Sequence, residues 1–413
     1  MKPQRITVIG AGIIGVTTAS YLQRDGHTVT LVDERPPGEY CSFGNAGILS
    51  PGSCVPLALP GVLRQVPGYL ADPLGPLALR WSYLPKALPW LLRFVAASDI
   101  RHVEKIADDL RALLVQTFDA YDPLVRAAGV TELIHRSGYV VAYSSRAALA
   151  GDALAWRLRR ERGVVTNELD RGELLARVPG LAPHFTAGLF LHDHGWCANP
   201  GRLTQALAAQ FVRDGGALLQ RKVLAVERDG ESAGALLTDA GRLPVETLVL
   251  CAGAHSRAFA AQLGDDVPLE AERGYHVTYS DPGLQLAMPV MLPEHKCFVT
   301  PMEMGVRIAG QSEFAGLDAP PDDRRADRLA AVMQKVFPGT RDTDSTRWMG
   351  RRPSMPDSLP VIGRATHCAN AWYAFGHGHV GLCGGAPSAK LLADLIAGRP
   401  PAIDPAPYRA SRF

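Results

Sequence analysis

The chain has 413 residues, 47% of them apolar and 20% charged, with a formal net charge of +2. That length can bury two domain cores, and the composition is that of a globular protein. A charge so close to zero, with no long basic run, excludes a dedicated nucleic-acid binder. The seven cysteines are scattered and none forms C-x-x-C. Neither a disulfide framework nor a zinc site is expected, and a reducing cytoplasm is the default setting. The first strand is expected at Ile6, which leaves no room for a signal peptide. No apolar run reaches the ~18 residues that would span a membrane.

In chain order, Ile6 to Ile9 reads as a short buried strand. Gly10, Gly12 and Gly15 follow as G-x-G-x-x-G, and Ile13 to Gly26 reads as a helix. A second apolar run, Val29 to Val32, ends in Asp33, close to the ~20-residue spacing expected of a dinucleotide-binding βαβ unit. Gly10 permits the tight turn, Gly12 leaves no side chain in the path of a pyrophosphate, and Gly15 lets helix and strand pack closely. The helix N-terminus offers free amides and a partial positive charge to phosphates, and the acid can accept ribose hydroxyls. Gly10, Ala11, Gly12, Ile13, Ile14, Gly15, Asp33 and Glu34 are therefore candidate cofactor contacts.

Cys41 to Gly52 is rich in small residues and suits a loop lying close against a ligand. Residues 56–130 read as mostly helical, with prolines breaking the first part. Tyr139 to Tyr143 is strand-like, and Ala147 to Arg162 reads as a helix. Asn199-Pro200 supplies an N-cap and first helical position for a helix from Arg202 to Asp214, closed by Gly215-Gly216. Short strands follow around Val223–Val226 and Ala235–Thr238. A buried strand, Thr247–Leu250, runs into Cys251-Ala252-Gly253. Residues 268–350 are strand-rich. Trp372–Phe375 reads as a strand, followed by a glycine turn and a helix from about Ser388 to Ala397. That turn, Gly376 to Gly381, is a second literal G-x-G-x-x-G. No strand ending in an acid follows it, since Asp394 lies inside the next helix. It reads as a second backbone approach to one cofactor rather than a site of its own.

Four segments together resemble the flavin-dependent D-amino-acid oxidase and glycine oxidase superfamily, in particular bacterial D-amino acid dehydrogenases. They are the N-terminal fingerprint, Ser42-Phe43-Gly44-Asn45-Ala46-Gly47, the stretch Gly350-Arg351-Arg352-Pro353 through Pro360-Val361-Ile362-Gly363, and Gly376-His377-Gly378-His379. The segment Glu272-Arg273-Gly274-Tyr275-His276 resembles the branch acting on D-hydroxyproline and related cyclic D-amino acids. The resemblance implies an α/β fold in which a Rossmann-like FAD domain of the glutathione reductase type is interleaved with an α+β substrate domain built on a large mixed sheet. The FAD domain would collect residues 1–55, 186–262 and 350–413, and the substrate domain residues 56–185 and 263–349.

The implied reaction is dehydrogenation of a D-amino acid, D-hydroxyproline or D-proline-like, by hydride transfer from Cα to flavin N5, leaving an imine. Electrons would pass to a respiratory acceptor, a quinone or an electron-transfer partner. Two alternatives keep the fold: an oxygen-using oxidase of glycine or secondary amines, and a non-catalytic flavoprotein subunit of a larger complex. The family's carboxylate-binding arginine falls on Arg352, with Arg351 as the neighbour able to swap roles. A planar guanidinium suits a carboxylate because it makes two parallel hydrogen bonds. Tyr275 is expected to hydrogen-bond the same carboxylate, with sheet packing as its alternative. His377 and His379 lie in the glycine turn, where one can bond the ring or tune substrate protonation. Ile48 and Leu49 are expected at the ring edge, Leu49 also against substrate. Ser42, Asn45, Ala46, Gly47, Gly376, Gly378, Val380, Gly381 and Leu382 join them as cofactor contacts. Val223, Cys251, Ala252 and Gly253 are expected near the adenosine half, with Cys251 as a packing residue.

Between Arg64 and Arg93, basic residues interleave with Tyr69, Trp81, Tyr83 and Trp90. One reading is a peripheral surface resting on the inner face of the cytoplasmic membrane. The favoured reading is packing against the substrate domain or a partner subunit, because the prolines in this stretch interrupt any long amphipathic helix.

Overall fold

The computed structural model describes residues 3–62, 68, 72 and 74–413; Arg64, Pro67, Tyr69 and Pro73 lie outside the described residues. Two large sheets organise the chain. The first has six strands in the order Ala217–Gln220, Thr28–Asp33, Arg5–Ile9, Thr247–Leu250, Ala371–Phe375 and Val361–Arg364. All neighbours are parallel except the last pair. Side chains alternate across it, as strand geometry requires. Ile6, Val8, Val29 and Leu31 enter one core, beneath the helices Ile13–Arg24, Pro200–Arg213 and Gly381–Ile396. Ile9, Leu248, Leu250 and Tyr373 enter another, beneath a three-stranded antiparallel meander over residues 223–244. This is the Rossmann-like arrangement expected for the nucleotide domain.

The second sheet has nine strands. At one end lie Ser345–Ser354, Glu270–Tyr279 and Gly305–Phe314, with Leu77–Leu79 paired to the last of these. Cys297–Met302, Val290–Leu292, Tyr139–Tyr143, Ala187–Leu191 and Thr166–Leu169 complete it. The helix Asp323–Val336 covers one face with Ala326, Leu329, Met333 and Val336, the spacing of a helical stripe. The other face looks toward the nucleotide domain.

The interleaving is finer than the segment boundaries drawn from the sequence. Ala187–Leu191 and residues 350–354 pair within the substrate sheet. The helices Ile100–Leu114 and Thr117–Ala128 lie within the segment assigned to the substrate domain. They nonetheless give Ile106, Leu110, Leu113, Leu124 and Val125 to the nucleotide-domain core. Each fully buried Leu or Ile there stabilises by about 1.5–3 kcal/mol.

The C-terminal helix begins at Gly381, not near Ser388. Pro387 and the pair Gly384-Gly385 masked its first two turns. The glycines serve close helix packing, since a Cβ at Gly385 would meet the Tyr121 hydroxyl at 3.0 Å and Ile13 at 3.5 Å. Residues 147–162 form two helices broken at Asp152. Asn199 caps its helix as the sequence implies, accepting the Arg202 amide at 3.0 Å.

Three histidines are buried in neutral form. His194 accepts the Gly52 amide through Nε2, His276 bonds the Gly44 carbonyl through Nδ1, and His377 Nε2 lies 2.9 Å from Ser388 Oγ. Burial pushes each of them down to about 3. An unfolded histidine titrates near 6.5, so below that pH the unfolded chain takes up protons that the native chain refuses. The stability these groups provide is complete above pH ~6.5 and is lost as pH falls toward 3. Urea unfolding at pH 7, 6 and 5 should show a loss approaching about 1.4 kcal/mol per pH unit for each such histidine. His377→Asn should make the dependence shallower.

Candidate active site

The sheets enclose one long cavity of about 1350 Å³. Its nucleotide end is set by the first glycine turn. Gly10 has φ +105°, and a Cβ there would lie 2.4 Å from the Cys251 carbonyl oxygen. A Cβ at Gly15 would lie 1.7 Å from the Gly10 oxygen. Those two glycines are demanded by packing. Gly12 is different, because its Cβ would meet only Ser42 Oγ, at 3.4 Å. Nothing in the protein requires glycine there, yet the residue lines the cavity. Its missing side chain keeps a lane open.

The amides of Gly12 and Ile14 point to the same lane and find no acceptor among the described residues. Unpaired amides at a helix N-terminus are an anion site. Ser42 Oγ accepts the Ile13 amide at 2.9 Å, so it braces the turn. Asp33 accepts the Ala11 amide at 2.6 Å and the Arg35 amide at 2.9 Å, which fixes its carboxylate at the cavity edge. Glu34, Val223, Cys251, Ala252 and Gly253 also line this end. Ala11 and Gly15 shape the turn from behind.

The middle is floored by the loop after Ser42, whose Gly44, Asn45, Ala46 and Ile48 line the cavity. The loop has few ladder bonds of its own. Arg307 donates through Nη1 to the carbonyls of Phe43 (2.8 Å) and Asn45 (2.7 Å), and His276 bonds the Gly44 carbonyl between them at 3.1 Å. Arg307 is fully buried with no carboxylate within salt-bridge distance among the described residues, and burial pulls it down to about 10. The Trp348 indole stacks on His276 and fills the space left by Gly44 and Gly350, where a Cβ would come within 2.0 Å of it. Asn45 Oδ1 accepts the Gly47 amide at 2.8 Å, and Gly47 sits at φ +79°. Gly47 thus turns the chain without facing the cavity.

At the far end Arg352, Gly378, His379, Val380, Gly381 and Leu382 line the space. Arg352 donates through Nη1 to Glu272 Oε1 (2.8 Å) and to the Gln311 carbonyl (2.9 Å). Its Nε has no partner within the described residues. Glu272 also accepts hydrogen bonds from the Ser312 and Ser354 hydroxyls, each at 2.6 Å. Burial alone would raise the Glu272 carboxyl, but Arg352 and the two hydroxyls hold it below its usual range. His379 is exposed to the cavity with no hydrogen bond among the described residues. Enclosure within the protein lowers its pKa, with Glu272 opposing and Arg352 reinforcing the shift. It is neutral at pH 7.

Several expected residues are committed to other partners or stand elsewhere. Tyr275 borders the cavity but is buried, packs in the core under the helix Asp323–Val336, and donates its hydroxyl to Glu313 at 2.6 Å. Leu49 is fully buried in the nucleotide-domain core, so only Ile48 reaches the cavity. His377 borders the cavity but is buried, spends Nε2 on Ser388, and is pushed down to about 3 by burial. Gly376 packs on Met355 instead of lining the cavity. Arg351 faces away from Arg352, donating to the Leu317 carbonyl and the Tyr40 hydroxyl. The residue missed from the sequence is Glu272. Its signal was an acid in one strand-like segment and an arginine in another, which the register places directly opposite each other.

The 64–93 stretch divides its roles. Trp90 packs on Phe94 and Phe314 and donates to the Ser354 carbonyl. The helix Leu84–Ala96 continues through Pro89 and buries only Ala87 and Trp90. Trp81, Leu88 and Leu92 remain 66%, 47% and 62% exposed at the cavity mouth. Among the described residues no helix is long and apolar enough to cross a membrane, and no group of three or more potential ligands could hold a metal ion.

Two substitutions separate the roles of the glycines. Gly15→Ala should fail to give a cooperative thermal transition, because its Cβ has no space. Gly12→Ala should melt within a few degrees of wild type yet lose flavin on gel filtration. Tyr275→Phe should cost about 1.5–3 kcal/mol in urea unfolding, since it removes a charge-assisted hydrogen bond to the buried Glu313 carboxylate while Arg80 and Arg273 still pair with it, with a minor change in KM.

The comparisons with known proteins agree with this geometry. The chain is 42% identical over 417 residues to a D-amino-acid oxidase of Bradyrhizobium diazoefficiens, covering 99% of both chains. It is 32% identical over 427 residues to a D-amino acid dehydrogenase of Chromohalobacter salexigens, again over 99% of each. Among solved structures, glycine oxidase from Geobacillus kaustophilus superposes with a TM-score of 0.75 at 20% identity, covering 99% of both chains. The family model for FAD dependent oxidoreductases of the DAO type matches residues 5–395. The glycine turn, the open lane over Gly12 and the unpaired amides fit FAD, and the chain belongs to the DAO family of FAD-dependent oxidoreductases.

Proposed function

We propose that the protein oxidises the Cα–N bond of a D-amino acid to an imine. The observation that carries this reading is Arg352, which lines the cavity with its Nε unpartnered among the described residues, beside the exposed neutral His379. Bound FAD supplies the two-electron oxidant that takes the Cα hydrogen as hydride. Arg352 receives the substrate carboxylate as a two-pronged hydrogen bond. His379 adds no positive charge beside the substrate nitrogen and offers it a ring nitrogen. Loss of hydride from a neutral amine leaves no carbanion, so no strong general base is required. The relatives called D-amino-acid oxidase and D-amino acid dehydrogenase support the substrate class.

Within that class the substrate is cyclic, D-hydroxyproline or D-proline-like. The Glu272–His276 segment supports this, as do the apolar walls Val141, Met291 and Phe298. The acceptor is a quinone or a partner that approaches along an apolar surface. Leu84, Leu88, Leu91 and Leu92 line the cavity mouth, with Lys86 and Arg93 exposed on the same helix. Such a mouth suits contact with the inner face of an anionic membrane.

Anaerobic bleaching of the flavin by a panel of D- and L-amino acids, including the hydroxyproline isomers, tests the reaction. D-isomers should bleach it, cyclic ones fastest; a flavin that no amino acid reduces would refute the reading. Arg352→Met should keep its flavin while KM rises about 10- to 150-fold, the equivalent of about 1.5–3 kcal/mol. Reduction of a soluble quinone should outpace peroxide formation in air. Trp81→Ser with Leu92→Ser should abolish sedimentation with anionic vesicles.

A further inference from the structure

Arg352 does not extend into the cavity from its own strand. Its guanidinium crosses the neighbouring strand, Glu270–Tyr279, to reach carbonyls on the strand beyond it, Gly305–Phe314. Three features make that crossing possible.

The first is Gly274. A Cβ there would lie 2.1 Å from Arg352 Nη2 and 2.4 Å from Cζ. The guanidinium lies where that side chain would be, so any other residue displaces it. The second is a bulge. The ladder between these strands runs Arg273↔Glu313, then jumps to Tyr275↔Gly310, and Gln311 sits at φ +65°. A bulge takes residues out of regular pairing and re-aims their groups. Here the Gln311 carbonyl, out of the register, accepts from Arg352 Nη1 at 2.9 Å, and the carbonyl of the adjoining Gly310 lies 3.4 Å from Nη2. The same bulge presents the Ser312 hydroxyl to Glu272. The third is Glu272, 4% exposed and directly opposite Arg352 in the register, which holds Nη1 at 2.8 Å.

We infer that Glu272 and Gly274 are positioning residues for the carboxylate clamp, the acid pinning one end of the Arg352 guanidinium and the glycine giving it a bed. The inference rests on Arg352 being that clamp. With Nη1 given to Glu272 and the Gln311 carbonyl and Nη2 in reach of the Gly310 carbonyl, the guanidinium plane is held, and Nε is left without an acceptor among the described residues for an incoming carboxylate to take. The carboxylate of Glu272 also balances the charge of Arg352 before substrate arrives. An incoming carboxylate therefore meets an aimed but neutralised partner, which moderates the grip and lets a product bearing the same carboxylate leave.

The probe is benzoate, a plain carboxylate, titrated into holoenzyme and followed by the flavin absorption. Gly274→Ala and Glu272→Ala should each weaken benzoate at least tenfold, with the flavin retained and the kinetic loss falling mainly on KM. Glu272→Gln preserves shape and removes the charge, its oxygen still accepting from Arg352 and Ser312 and its amide NH2 donating to a Ser354 hydroxyl turned round to accept. It should bind benzoate at least as tightly as wild type. If the folded Gly274→Ala and Glu272→Ala proteins bind benzoate like wild type while Arg352→Met does not, the positioning role is overturned and the clamp stands. If Arg352→Met also binds like wild type, the clamp itself is wrong. Should Gly274→Ala not fold, the opposite effects expected of Glu272→Ala and Glu272→Gln decide the matter, and equal effects would overturn it.

Discussion

An irregular loop laid across the middle of a protein must have its carbonyls satisfied from somewhere. Here the segment Phe43–Asn45 forms the floor of the cavity and has three consecutive carbonyls to satisfy. The substrate sheet supplies the donors, two from Arg307 and one from His276. The two halves of the molecule are therefore joined at the point where the cofactor lane turns toward the substrate end. The lane's width, the placement of Ile48 and the seating of Trp348 all follow from this grip. An unpaired buried cation is costly, and Arg307 is tolerated because every described donor contact it makes is to an oriented oxygen.

The cavity's chemistry is divided along its length. The nucleotide end offers backbone amides at the turn, with Arg35, Arg221 and Lys222 further along its lining. The far end offers Arg352, whose charge Glu272 balances, together with Arg159 and a neutral imidazole. Apolar side chains such as Val141, Met291 and Phe298 make up much of the wall between.

The first βαβ unit was legible because its glycines carry distinct duties that sequence spacing records. The Asn199 cap and the strands Tyr139–Tyr143 and Thr247–Leu250 were legible for similar local reasons. Arg352 came from a family resemblance and could not have been chosen over Arg351 by pattern, since both border the cavity and only their tertiary partners, Glu272 for one and Leu317 and Tyr40 for the other, tell them apart. Tyr275 borders the cavity, but its hydroxyl is spent on Glu313, a tertiary contact that no local pattern records. Leu49 sits one residue from a cavity position, and burial at that resolution is a tertiary property. The bulge at Gln311 has no sequence signature, because a positive φ at a residue other than glycine is imposed by the surrounding fold. The start of the last helix was hidden by glycines and a proline that usually mark helix ends.

The order of strands in the first sheet carries a consequence for biosynthesis. Thr247–Leu250 lies between Arg5–Ile9 and Ala371–Phe375, and the helix Gly381–Ile396 packs against Ile13–Arg24. Both glycine turns that enclose the cofactor therefore depend on pairings separated by more than two hundred residues of intervening chain. A nascent chain on the ribosome displays the fingerprint early but has nothing to close it with. Contacts so distant in sequence form late and leave apolar edges open meanwhile. The second turn and its helix come from the last tenth of the chain, so the cavity closes only once nearly all of it is available, and a ligand that binds the closed form stabilises the whole molecule.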